Sequence, residues 1–169
     1  MSVVLVEGES DRVLVEALVA RFGVSAEVVA MGGATNVRRF AAQHPGAIGL
    51  CDRNEQRFFA RVLERWFVCD PDLEGELIRA LGIEGVEAVL AEQGELESFR
   101  TLQNQPFQRE RAPDQQLSRF FGGRSGNKVR YAPLLLAALP DERVPAPLLG
   151  LFGALASPTG RPQGSTPET

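Results

Sequence analysis

The chain has 169 residues, and because 44% of them are hydrophobic it can bury the core of one domain. The net charge is −4, the two isolated cysteines exclude a disulfide framework and a CxxC metal knuckle, and the single histidine excludes any site that needs two imidazoles. The N-terminus lacks the basic segment of a signal peptide, and no apolar run approaches the ~18 residues of a membrane span, so we expect a cytoplasmic protein with no membrane partner.

The first half of the chain alternates short apolar runs with amphipathic segments. The apolar runs predict strands over residues 3–6, 27–31, 47–51 and 65–69. The segments between and after them predict helices from a cap at Ser10 to Phe22, over residues 35–43 and over residues 72–81, where Gly82 ends the helix. This alternation predicts an α/β fold, with a parallel four-stranded sheet flanked by helices.

Strand signals fade after residue 82. Helical spacing of apolar residues predicts helices over residues 84–92, 97–105, 114–121 and 128–139. The end of the chain is rich in Pro, Gly and Thr, a composition typical of disorder. We therefore expect an α/β core over residues 1–82, a helical extension over residues 83–156 and a disordered tail over residues 157–169.

The two signs of charge are separated along the sequence. Residues 1–98 carry nine basic and seventeen acidic side chains, whereas residues 99–131 carry seven basic and two acidic ones. Such a layout suits a carboxylate metal site beside a surface that faces phosphates. A helical segment with a solvated arginine face explains the charge pattern equally well.

Acidic side chains follow three of the four predicted strands. Glu7 follows the first strand, Asp52 the third, and the segment with Asp70, Asp72 and Glu74 the fourth. The carboxyl ends of parallel strands meet at one edge of a sheet, so these carboxylates can share a divalent ion there. Asp11 would join them from the first turn of the following helix, and an all-oxygen site prefers Mg²⁺ or Mn²⁺ to Zn²⁺. Taken singly, Asp72 and Glu74 also fit ordinary helix capping.

Residues 4–11, Val-Leu-Val-Glu-Gly-Glu-Ser-Asp, precede an apolar helix and resemble the opening of the Toprim domain of topoisomerases, bacterial primases and some nucleases. The finer resemblance is to the Toprim part of the OLD (overcoming lysogenization defect) nucleases. It rests on Glu7-Gly8 with Asp11, on Asp72-Leu73-Glu74 and on Lys128, the only lysine of the chain. The resemblance covers about residues 1–131 and implies a Toprim-like, Rossmann-like sheet.

The resemblance also implies a function, a Mg²⁺- or Mn²⁺-dependent endonuclease that hydrolyses phosphodiester bonds, with DNA favoured over RNA. Glu7 and Lys128 would be catalytic, Lys128 by offsetting charge that builds on the phosphate. The alternative interpretation of Lys128, a surface lysine without a role, is the less favoured one. The implied metal ligands are Glu7, Asp11, Asp52, Asn54, Asp72 and Glu74. The residues expected to hold the nucleic-acid backbone are Arg119, Arg124, Lys128 and Arg130.

The sequence departs from the family pattern in two respects. Where the family has a DxD pair, this chain has Asp52-Arg53-Asn54, so an uncharged amide replaces the second carboxylate. OLD proteins carry an ATPase domain ahead of the Toprim part, but here Met1 opens the first strand, so any ATPase would act in trans. These departures keep two alternatives open, a catalytically inactive Toprim-like module that binds nucleic acid or protein, and an RNA-processing Toprim ribonuclease.

Overall fold

The computed structural model describes residues 1–157, so the predicted disordered tail lies outside the described residues except for residue 157. The strands are β1 Ser2–Val6, β2 Ala26–Ala30, β3 Ile48–Asp52 and β4 Trp66–Cys69. They are parallel and form one sheet in the order β2-β1-β3-β4. This sheet confirms the predicted α/β fold class, and each strand begins and ends within about one residue of its predicted bounds.

Eight helices surround the sheet within residues 1–157. Two of them, α3 (Gln56–Ala60) and α8 (Ala146–Ala156), are absent from the sequence prediction. The helix α4 (Leu73–Glu92) continues past Gly82, where we expected a helix to end. Gly82 is non-helical, with φ of 74°, so the predicted interruption is real although the chain turns directly into the next helical segment. The helices are α1 Glu9–Phe22, α2 Val37–Gln43, α3 Gln56–Ala60, α4 Leu73–Glu92, α5 Leu96–Gln103, α6 Pro113–Gly122, α7 Asn127–Ala138 and α8 Ala146–Ala156.

The central strands β1 and β3 are buried on both faces, which explains their runs of apolar residues. Val4 and Val6 of β1 point into a core that contains residues of α1 and of every helix from α4 to α8. Leu5 points to the opposite face and packs with Val37 of α2 and Phe59 of α3. The helical extension therefore shares one core with the sheet and α1. No helix within residues 1–157 is both long enough and apolar enough to cross a membrane.

The start of α1 differs from the prediction. Gly8, and not Ser10, is the N-cap, and the helix begins at Glu9. The Asp11 carboxylate accepts a hydrogen bond of 3.1 Å from the Gly8 N–H. An acidic side chain in the first turn of the helix therefore pairs with the backbone N–H of the N-cap residue, as in a capping box. The helix ends as predicted at Gly23, which adopts the left-handed conformation with φ of 64°.

Gly49 is expected to tolerate no side chain, because β3 passes directly against α3. A Cβ on Gly49 would lie 2.5 Å from Cδ1 of Phe59 and 2.7 Å from Cδ1 of Leu63. We therefore expect Gly49→Ala to lower the free energy of unfolding by about 1–3 kcal/mol, measured by urea denaturation. The matched control is Gly153→Ala in α8, where no neighbouring atom lies within 4 Å and the gain in helix propensity should stabilise the protein by about 0.5–1 kcal/mol. Equal effects of the two substitutions would contradict this packing.

Candidate metal centre and nucleic-acid interface

The strand order brings the acidic strand ends together, because β1, β3 and β4 are consecutive neighbours in the sheet. Glu7 directly follows β1, Asp52 is the last residue of β3, and Asp72 caps α4 after β4. Two backbone hydrogen bonds hold this edge, from the N–H of Gly33 to the carbonyl of Glu7 at 3.1 Å and from the N–H of Arg53 to the carbonyl of Pro71 at 3.2 Å. The carboxylates are thus presented from a rigid edge of the sheet.

A cavity of about 210 Å³ opens at this edge, between the sheet and helices α1, α4 and α7. We call it the acidic cleft. Its lining combines five carboxylates and a single ammonium group with leucine side chains and the ring of Tyr131. The lining residues are Glu7, Gly8, Ser10, Asp11, Leu14, Asp52, Asp72, Leu73, Glu74, Leu77, Lys128, Tyr131, Ala132 and Leu135.

The cleft disfavours the ionised form of two of its carboxylates. Burial raises the pKa of Asp52 to about 7, and repulsion from Asp11, Asp72 and Glu7 adds to the effect, while the backbone of Leu73 acts in the opposite direction. Burial likewise raises the pKa of Glu74 to about 7, against the opposing attraction of Lys128. Negative charge is therefore concentrated here beyond what one lysine neutralises.

Glu7 and Asp11 belong to the same electrostatic cluster. Burial raises the pKa of Glu7, and the negative charges of Glu55 and Asp11 raise it further. The pKa of Asp11 is also raised by burial, while its hydrogen bond from Gly8 acts in the opposite direction. None of Glu7, Asp11 and Asp52 forms a salt bridge with an arginine in the part of the chain that the structure describes. No arginine therefore neutralises these carboxylates in the described part of the chain.

Lys128 reaches the cleft from the first turn of α7. Its Nζ lies 3.4 Å from Oε2 of Glu74, and 48% of its side chain is exposed. Burial lowers the pKa of Lys128, but the carboxylates of Glu74 and Asp72 outweigh this, so the pKa is raised overall and the side chain stays a cation. The only lysine of the chain thus faces the acidic cluster and solvent at once.

Three candidate residues lie away from the cleft or are engaged elsewhere. Asn54 is exposed in the turn after β3 and does not line the cavity, so the structure does not place it among the ligand candidates. Asp70, which follows a cysteine at the end of a strand as Asp52 does, forms an ion pair with Arg53. The Arg130 guanidinium is engaged by the Glu95 carboxylate and by Oε1 of Gln93, at 3.1 Å, and does not line the cleft.

The residues of the cleft fit a hard divalent cation by donor type and by charge, because five carboxylates share one space with a single lysine. Within residues 1–157, however, no three acidic, His or Cys side chains surround a common point as ligands. Asp72 is occupied as the cap of α4, where it accepts a hydrogen bond of 2.7 Å from the Gly75 N–H. Binding an ion therefore requires some carboxylates to rotate towards it.

The sequence analysis did not identify the acidic residue Glu55 or the apolar residues that line the cleft. Glu55 lies in the turn after Asp52, and its charge acts on Glu7. Its spacing of three residues from Asp52 was a usable signal, since one helical turn returns to the same side. Leu14, Leu77 and the Tyr131 ring gave no signal of their own, because in sequence they are ordinary core positions of amphipathic helices.

Comparison with models of protein families finds no match for this sequence, and comparison with curated proteins finds none. Solved structures do match its fold. The C-terminal region of the Burkholderia pseudomallei OLD protein aligns over 94% of this chain and 98% of its own length, with a TM-score of 0.64 and 16% identity. The C-terminal region of the Xanthomonas campestris pv. campestris OLD protein aligns over 93% and 94%, with a TM-score of 0.65 and 19% identity. The chain therefore has the Toprim-like α/β fold of the C-terminal regions of OLD proteins, as the resemblance of its sequence motifs predicted.

Proposed function

We propose that the protein is a nuclease that hydrolyses phosphodiester bonds, with DNA as the favoured substrate and Mg²⁺ or Mn²⁺ as the cofactor. The observation that carries this proposal is the acidic cleft, a cavity at the carboxyl edge of a parallel sheet that is lined by the carboxylates of Glu7, Asp11 and Asp52 and by Lys128. The fold shared with OLD C-terminal regions supports the assignment.

Each charged side chain of the cleft has a role in this proposal. Glu7, Asp11 and Asp52 would hold one cation, and Asp72 and Glu74 would complete a second site. When bound, the cation activates a water molecule and polarises the phosphate. Lys128 places a compact positive charge beside the phosphate, where it stabilises the charge that develops as the bond breaks.

The direct test is nicking of supercoiled plasmid DNA by the purified protein. We expect conversion to the open-circular form with Mn²⁺ or Mg²⁺ and none with excess chelator. Glu7→Gln should lose the activity, because it removes a charge that the cation needs and leaves the shape of the side chain unchanged. Metal-dependent nicking by Glu7→Gln at the rate of the wild type would refute the proposed site.

Lys128→Ala is expected to slow cleavage by about 10²-fold, the usual cost of removing one group that stabilises transition-state charge. Because Lys128 is not a proposed metal ligand, the cation concentration at half-maximal activity should change far less than the rate. Lys128→Arg is the conservative control and should recover part of the rate, since it keeps the charge. Undiminished cleavage by Lys128→Ala would mean that this lysine is a surface residue without a catalytic role.

A second candidate function is a Toprim-like module that binds nucleic acid or a protein without cleaving. It is favoured by the amide at Asn54 and by the lack of three converging ligand side chains within residues 1–157. Its signature is binding that falls steeply with salt, survives chelation and is never followed by cleavage. Substrate competition between structured RNA and DNA separates the remaining alternative, an RNA-processing enzyme, from a DNA nuclease.

A further inference from the structure

A second cavity lies on the helical extension, between α5 and α6. Its volume is about 310 Å³, and it shares no lining residue with the acidic cleft. Two arginines, two hydroxyl side chains and one amide supply its polar lining. We call it the arginine groove, formed by Ser98, Thr101, Leu102, Gln105, Arg119, Phe120, Gly123 and Arg124.

The charge of this groove is uncompensated in the described part of the chain. Neither Arg119 nor Arg124 forms a salt bridge within residues 1–157, whereas Arg100 and Arg130, from the same basic segment, are paired with Glu87 and Glu95. No acidic residue lines the groove. Guanidinium groups with neighbouring hydroxyl and amide donors are the set that binds phosphate oxygens, which accept several hydrogen bonds in fixed directions.

The loop between α6 and α7 joins the arginine groove to the acidic cleft. Arg124 lies in the groove and Lys128, four residues later, lines the cleft. Four residues span at most about 14 Å between Cα atoms. The Lys128 side chain also lies over the end of α6, because a Cβ on Gly122 would lie 3.8 Å from Cε of Lys128.

This separation matches a short stretch of one nucleic-acid strand. Phosphates follow each other by about 3.4 Å of axial rise in a B-form strand and by more when the strand is extended. The upper limit on the separation of the Cα atoms of Arg124 and Lys128 therefore corresponds to about two to four nucleotides. A strand with one phosphate at Lys128 can place another between Arg119 and Arg124.

We propose that the arginine groove binds backbone phosphates of the same nucleic-acid strand whose scissile phosphate lies in the acidic cleft, about two to four nucleotides away. The placement of the scissile phosphate rests on the proposed function, but binding in the groove does not. The groove would supply affinity through phosphate contacts, which carry no sequence information.

The test is binding of fluorescently labelled single-stranded DNA in excess chelator, where cleavage cannot occur and the unfilled acidic cleft repels the strand. Oligonucleotides of about 4 to about 16 nucleotides cover the usual range of single-strand sites. We expect Arg119→Ala/Arg124→Ala to weaken binding of the longer oligonucleotides at least about tenfold. It should also reduce the slope of log affinity against log salt by about 1.4, the value for two lost phosphate contacts.

Arg38→Ala/Arg39→Ala provides the matched control. These two exposed arginines lie on α2, on the opposite face of the sheet, and their removal changes the net charge by the same amount. Binding should be close to that of the wild type. Arg119→Lys/Arg124→Lys keeps the charge and should retain part of the affinity, and thermal unfolding should show that every variant folds.

Three results would overturn the proposal. One is unchanged binding by Arg119→Ala/Arg124→Ala, and another is an equal loss in both double variants, which would reduce the effect to net charge. The third is binding of inorganic phosphate as tightly as the oligonucleotide, which would make the groove a site for the free ion. Absence of cleavage by the wild type with Mn²⁺ would refute the proposed function instead and would leave these binding results intact.

Discussion

Asp52→Asn is expected to lower metal-dependent cleavage by at least about 10²-fold, because loss of a direct ligand should cost more than the 10–100-fold typical of residues that only support one. The same substitution should stabilise the metal-free protein. Burial and three neighbouring carboxylates raise the pKa of Asp52 to about 7, so its negative charge is unfavourable in the folded state near neutral pH. An uncharged amide of the same shape removes that penalty. Plasmid cleavage and thermal unfolding at pH 8 measure the two effects.

Asp70→Asn is the control for this experiment. Asp70 follows Cys69 just as Asp52 follows Cys51, but its carboxylate pairs with Arg53 and does not line the cleft. Its replacement should leave the cleavage rate near that of the wild type. If Asp52→Asn cleaved at the wild-type rate, or if both substitutions lowered activity equally, the acidic cleft would not be the catalytic site.

The metal-free protein is expected to be more stable at pH 5 than at pH 8. The pKa values of Asp52 and Glu74 are each raised to about 7 in the folded state, whereas carboxyl groups in the unfolded chain titrate near pH 4. The folded state therefore binds more protons between about pH 4 and about pH 7, and stability falls as the pH rises through this window. Each kcal/mol lost should lower the thermal midpoint by about 2–4 °C.

A divalent cation should reverse this loss at pH 8. An ion that binds the folded state alone, at about 100 times its dissociation constant, adds about 2.7 kcal/mol to the free energy of unfolding. The thermal midpoint should then rise by about 5–10 °C with Mn²⁺. Asp52→Asn/Glu74→Gln is the control, since it should show a flatter pH profile and little response to Mn²⁺. A wild-type midpoint that ignores both pH and Mn²⁺ would show that the carboxylates neither repel one another nor bind an ion.

The sequence by itself determined the elements that local interactions control. Apolar runs and helical spacing predicted all four strands and most helices to within one or two residues, because strands buried on both faces are continuously apolar and helices buried on one face are periodically apolar. They also placed Glu7 and Asp52 at strand ends. The pattern failed at α3, which is only five residues long, and at α8, where Gly150 packs against the Phe67 ring and both faces of the helix are largely apolar.

The tertiary structure alone decided which polar groups meet. Asp52 and Asp70 share the same local sequence, but Asp52 faces the acidic cleft and Asp70 pairs with Arg53. Arg119 and Arg130 belong to one basic segment, but Arg119 lines a groove while the Arg130 charge is taken by Glu95. The order β2-β1-β3-β4 places the three acid-bearing strands side by side. Contacts of this kind join residues far apart in the chain, so no local periodicity records them.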